Sequence, residues 1–206
     1  MKIVKNTFPN LYLKPGEMSI LEQPTRVTTV LGSCVTVTLY HGQLKLSAIC
    51  HALLPNCKKH LYESSINDLL DRECQYCPEA FRYVDCAVSM MVEAFSRLGA
   101  CPTETRVSIF GGAKMIGRKH TPVNYPVGLQ NVHVARKVIA DHGLNISFSD
   151  TGGAYGRKLF FNTQTGEATI QYMGGVLQGQ IAGGTIPGSA FPLKNSAFYR
   201  PGRLDP

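Results

Sequence analysis

The sequence predicts an α+β domain, layered from strands and helices. Two observations carry this. Short segments rich in β-branched, aromatic and apolar residues, bounded by Gly and turn residues, recur along the chain. Two stretches, 79–98 and 131–142, instead repeat apolar residues at helical spacing. At 206 residues and 44% hydrophobic, the chain is long enough to bury one substantial core.

Taken in order, residues 27–31 and 35–40 read as strands separated by a Gly32-Ser33 kink, and 44–51 resumes the pattern after His41-Gly42. Residues 53–78, polar, rich in Cys and bounded by Pro55 and Pro78, read as a long loop with a short helical turn. The helix expected over 79–98 places Phe81, Val84, Val88, Met91, Val92 and Phe95 on one face, with Pro78 at its start and Gly99 at its end. A buried strand at 106–110 runs into Gly111-Gly112, a tight turn that lacks the spacing of a phosphate loop. The second helix, 131–142, is closed by Gly143. Strands at 144–149, 157–162 and 168–173 follow, the last two joined by a hairpin turn at 162–166. Asp150 is expected to cap the turn that holds Gly152-Gly153.

One juxtaposition carries chemistry. Cys34 follows the Gly32-Ser33 kink, and His51 stands seventeen positions later. If 35–40 and 44–51 form a hairpin turning near Gly42, residues whose numbers sum to about 85 pair across it, and Cys34 lies opposite His51. A thiol is mostly protonated at neutral pH, so an imidazole that takes its proton generates the nucleophile. The imidazole needs a partner to fix its tautomer, which the Thr28 hydroxyl or a backbone carbonyl supplies. Thr28 shares a face with Cys34 if the strand runs straight, whereas a kink at Gly32 breaks that parity. The sharp turn at Gly32 leaves the amides of Ser33 and Cys34 to stabilise an oxyanion.

These residues belong to a longer series of motifs. The run 31–35, LGSCV, and His51 with Leu53-Leu54-Pro55 resemble the chemoreceptor glutamine deamidases, the CheD family of chemotaxis. Further blocks follow in that family's order: RYVD at 82–85, IFGGAKM at 109–115, GLQNV at 128–132, DTGGAYGRK at 150–158 and NTQTG at 162–166. The resemblance implies a β-sandwich-like core flanked by helices, similar to cysteine-dependent toxin deamidases. It implies a protein-glutamine amidohydrolase acting through a thioester and binding no nucleotide; neither a cofactor nor a stoichiometric metal is expected. Cys34 would be the nucleophile, His51 the base and then the acid, and Thr28 the orienting hydroxyl, with Thr29 the alternative. The implied partners are the cytoplasmic helices of chemoreceptors, as substrate, and a CheC-like chemotaxis phosphatase.

Composition bounds the remaining readings. A net charge of +7 is spread over short groups such as 58–60, 118–120 and 157–158, with no basic stripe interleaved with aromatics, so no nucleic-acid partner is expected. No run of about 18 apolar residues predicts membrane insertion. Residues 1–6 lack the apolar core of a signal peptide, and seven cysteines are an odd number, so reduced thiols and a cytoplasmic location are expected. Cys74 and Cys77, with Cys57 and His60 upstream, have the inner spacing of a zinc knuckle or redox pair but lack a second pair. A single deamidase domain over 1–173 and a Gly/Pro-rich tail over 174–206 complete the expected organisation. Besides the hydrolase, a binding module that tolerates loss of the thiol and a metal or redox protein built on Cys57, Cys74 and Cys77 remain open.

Overall fold

The computed structural model describes residues 8–57, 77–114 and 126–173. Among the described residues, nine strands and two α-helices form three layers: a four-stranded sheet, a five-stranded sheet and a pair of helices. The strands are β1 (Asn10–Tyr12), β2 (Glu17–Leu21), β3 (Arg26–Leu31), β4 (Val35–His41), β5 (Leu46–Ala52), β6 (Thr105–Gly111), β7 (Ile146–Thr151), β8 (Gly156–Asn162) and β9 (Glu167–Met173). The helices are α1 (Val84–Arg97) and α2 (Val127–Asp141). One sheet has the order β1-β3-β8-β9 and the other β2-β5-β4-β6-β7.

Burial patterns follow from the layering. β3 and β8 alternate between buried and partly exposed positions because their sheet has one covered face. β4 and β5 are buried at every residue because both faces of the central sheet are covered. One face meets the first sheet through Val27, Leu31, Ile49, Phe110, Leu159, Phe161 and Ile170. The other meets the helices through Val37, Leu39, Val88, Met91, Phe95, Ala135 and Ile139. Both described helices lie on that outer side of the sandwich.

α1 begins at Val84, later than expected, because residues Ala80–Arg82 form a separate 3-10 turn after Pro78. α2 begins earlier than expected, at Val127 directly after Pro126, and serves as the crossover that joins the parallel strands β6 and β7. β1 and β2, for which no strand was expected, add an outer strand to each sheet. The expected loop over 53–78 lies mostly outside the described residues, and so do the tail 174–206, Cys74, His60 and the basic groups 58–60 and 118–120.

Candidate active site

β3 belongs to one sheet and β4 to the other, so the chain changes sheets at Gly32-Ser33-Cys34. That crossing breaks the side-chain parity of a straight strand. Val27, Thr29 and Leu31 face the space between the sheets, and Cys34 packs against the same inter-sheet core.

His51 faces this space as well, being two residues beyond Ile49 on β5. The hairpin register differs from the sum of 85. Gly42 to Lys45 form the turn, with Lys45 in the left-handed region at φ 53°, and the ladder pairs Thr36 with His51 and Val35 with Ala52. The turn consumes Leu44 and Lys45, which shifts the pairing by two residues. Cys34 is therefore a diagonal neighbour of His51 on the same face, one step beyond the directly opposed Thr36.

The hydroxyl that meets His51 belongs to Thr29. Thr29 Oγ1 donates to the Leu13 carbonyl at 2.8 Å and lies 2.7 Å from His51 Nδ1. Its single proton is committed to Leu13, so the oxygen accepts from Nδ1–H, and the neutral imidazole presents its lone pair at Nε2. His51 Nε2 is buried and has no hydrogen-bond partner among the described residues. Thr28 lies on the other face of β3, half-buried and turned from the inter-sheet space, so the expectation for Thr28 is corrected to its neighbour.

Electrostatics favours an uncharged resting pair. Burial lowers the His51 pKa from 6.5 to about 4, against smaller opposing effects of the Leu13 carbonyl and the Glu17 carboxylate. Burial pushes the Cys34 thiol up, and its own backbone amide partly offsets this. Cys34 is half-buried whereas His51 is 1% exposed, so the thiol is the more accessible of the two groups.

The bend is held from outside by its carbonyls. Ala113 N donates to Gly32 O and Gly112 N to Cys34 O, both at 2.8 Å. Asn131 Nδ2, on α2, donates to Ser33 O at 3.0 Å and to Leu53 O at 2.9 Å. Gly111 has φ 105°, and a side chain there would collide with the Cys34 carbonyl oxygen, so only glycine permits this approach. The amides of Ser33 and Cys34 donate to no backbone carbonyl among the described residues, and the Cys34 amide is directed at its own sulfur.

Asn131 escaped notice in the sequence, although a polar residue on the apolar stripe of a helix was the available signal. It is fully buried and its Oδ1 has no partner among the described residues. Asp150 does more than cap a turn. It pairs with the guanidinium of Arg157, which is 2% exposed, and accepts from Tyr172 Oη at 2.6 Å. A cavity of about 300 Å³ lies beside this group, lined by residues 149–155, Arg157 and Tyr172. Cys57 and Cys77 pack with Cys86 in a small satellite cluster, and no group among the described residues is arranged to hold a metal ion.

The protein is thus a three-layer α+β protein in which Thr29 meets His51 between the sheets and Cys34 packs against the same inter-sheet core. A family model described as CheD chemotactic sensory transduction matches residues 71–172. The chain is 42% identical over 163 residues to a probable chemoreceptor glutamine deamidase CheD 2 of Geobacter sulfurreducens, covering 79% of this chain and 89% of that one. It is 36% identical to a probable chemoreceptor glutamine deamidase CheD of Oleidesulfovibrio alaskensis, covering 80% and 73%. It is 33% identical to that of Maridesulfovibrio salexigens, covering 78% and 90%. The chain belongs to the CheD family. Among solved structures it is similar to a Bacillus licheniformis hypothetical protein, YfiH, at 14% identity and a TM-score of 0.39, covering 66% of this chain and 49% of that one.

Proposed function

We propose that this protein deamidates selected glutamines of chemoreceptors to glutamate in chemotaxis, with Cys34 as nucleophile. The observation that carries the reading is the Thr29–His51 hydrogen bond, which leaves a bare Nε2 in the compartment that holds Cys34. The names of its relatives supply the substrate class.

In this mechanism Cys34 Sγ attacks Cδ of the glutamine carboxamide while His51 Nε2 takes the thiol proton. Nδ1–H stays on Thr29 Oγ1, which holds the imidazolium in place. The tetrahedral oxyanion is received by the Ser33 and Cys34 amides. His51 returns the proton to the departing nitrogen, ammonia leaves and a thioester remains. Water then attacks the thioester carbon, His51 takes its proton, and collapse releases glutamate and restores the thiol. A resting pair without charge suits this cycle, because the proton moves only as the carbon–sulfur bond forms.

Incubation with a chemoreceptor cytoplasmic fragment, followed by peptide mapping in a mass spectrometer, tests the reading. Wild type converts Gln to Glu with loss of ammonia, and Cys34→Ala does not. No conversion by wild type would overturn the hydrolase and leave a docking role, for which a CheC-like chemotaxis phosphatase is the partner to assay. A cytoplasmic location is part of this proposal, since the substrate would be the cytoplasmic helices of receptors; among the described residues no helix is long and apolar enough to cross a membrane.

A further inference from the structure

We propose that Asn131 is a positioning residue that aims the Cys34 amide into the oxyanion site; this rests on the reading of Cys34 as an acylated nucleophile. The β4–β5 ladder ends at Val35 and Ala52. Beyond that rung the chains carrying the thiol and the imidazole separate into Ser33-Cys34 and Leu53, with two carbonyls in need of a donor. Asn131 Nδ2 stands between them and gives one hydrogen to each, at 3.0 and 2.9 Å. A single side chain of α2 thus replaces the missing rung.

The consequence for chemistry comes from peptide geometry. In a trans peptide the carbonyl of residue 33 and the N–H of residue 34 point in opposite directions. Drawing the Ser33 carbonyl toward the helix layer therefore turns the Cys34 N–H the other way, toward its own sulfur. The electrostatics agrees, because the Cys34 amide is the group that partly offsets burial of the thiol. The Ala113 amide does the same for the preceding peptide, drawing on the Gly32 carbonyl and turning out the Ser33 N–H. Asn131 is also fully buried, and its Oδ1 has no partner among the described residues. A residue kept only for packing would be better served by an apolar side chain, so the use of asparagine points to its nitrogen.

Two reactions of the same sulfur separate aiming from mere folding. Acylation of Cys34 by p-nitrophenyl acetate passes through an oxyanion, whereas alkylation by iodoacetamide does not. In Asn131→Ala, acylation and the kcat of receptor deamidation are expected to fall roughly 100-fold. KM and the alkylation rate per thiolate, taken from a profile over pH 6 to 10 that corrects for ionisation of Cys34, should stay within about threefold of wild type, as expected when only transition-state contacts are lost. Equal losses of acylation and alkylation, or no loss of either, would overturn the proposal. If Asn131→Ala does not fold, Asn131→Ser, which keeps one donor, carries the same comparison. Failure of both to fold assigns the residue to stability alone. Wild type that is acylated but leaves receptor glutamines intact refutes the deamidase and not the role of Asn131, which the ratio of the two rates still decides.

Discussion

At the scale of single residues, which hydroxyl bonds His51 is set by the face of β3 it occupies. Thr29 shares the inter-sheet space with the imidazole and Thr28 does not. Thr29→Val, which keeps the shape and removes the oxygen, should lower kcat about 10- to 100-fold, as loss of a group that orients a histidine does elsewhere. Thr28→Val should stay within twofold in the same assay, and equal effects would remove the orienting role. Sequence reasoning could name two adjacent threonines but not choose between them, since the choice depends on a change of sheet at Gly32 that no local pattern encodes. His51 yields a second prediction, on stability. Its pKa falls from 6.5 to about 4 on folding, so between those values the unfolded chain binds a proton that the folded chain refuses. The unfolded state then binds more protons, and unfolding free energy declines as the pH is lowered through that window. The loss on this account reaches about 3 kcal/mol at pH 4 and does not grow further below it. Urea titrations at pH 7 and pH 4.5 should show the difference between wild type and His51→Gln shrinking or reversing in acid. A constant difference would mean that the imidazole is not buried neutral.

At the scale of elements, most strands and both helices were legible because their burial is periodic. Segments 157–162 and 168–173 fall within one or two residues of β8 and β9, since alternation on a one-faced sheet is the plainest of signals. The short strands β1 and β2 were not legible, because partly exposed edge segments carry little periodicity and are fixed by pairing with β3 and β5. The register of β4 and β5 was off by two residues for a related reason: it is decided by Lys45 in the left-handed region, a conformation that its residue type does not announce. The contact of β6 with the bend shows what such detail controls. Gly111 is pressed against the Cys34 carbonyl with φ 105°, whereas Gly99, at φ 89°, has nothing around its missing side chain. Alanine at either site carries backbone strain of about 1–3 kcal/mol. Only Gly111→Ala also pushes the bend. It should cost at least about 2 kcal/mol and remove most deamidation, while Gly99→Ala destabilises modestly and keeps kcat. Equal kcat in the two variants, measured below both melting temperatures, would show that the bend does not depend on this approach.

At the scale of the whole molecule, the two sheets are joined at the end that carries Cys34 by a buried ion pair. Asp150 is the penultimate residue of β7 in the five-stranded sheet, and Arg157 lies on β8 in the other, opposite Leu31. The guanidinium also donates to the carbonyls of Asp150 and Gly152, and Tyr172 on β9 closes the group from outside through its bond to Asp150, which raises the phenol pKa. From there the Gly152 amide reaches the Gly111 carbonyl, and the Gly112 amide reaches Cys34, so the clasp between the sheets is continuous with the bend. The DTGGAYGRK run marked this region in the sequence, yet the pairing of its first and eighth residues was not legible, because it depends on the turn through Gly152 and Gly153 at φ 76° and 75°. Removing one partner of a buried pair leaves the other charge without compensation, and such losses run to about 3–5 kcal/mol. Asp150→Ala should therefore cost on the order of 3 kcal/mol in urea unfolding. Lys137→Ala, which breaks an exposed pair with Asp141 at 2.7 Å, should cost no more than about 0.5 kcal/mol. If Asp150→Ala cost as little as Lys137→Ala, the carbonyls of Asp150 and Gly152 would suffice to hold Arg157, and the closure of the sandwich would rest on its apolar core alone.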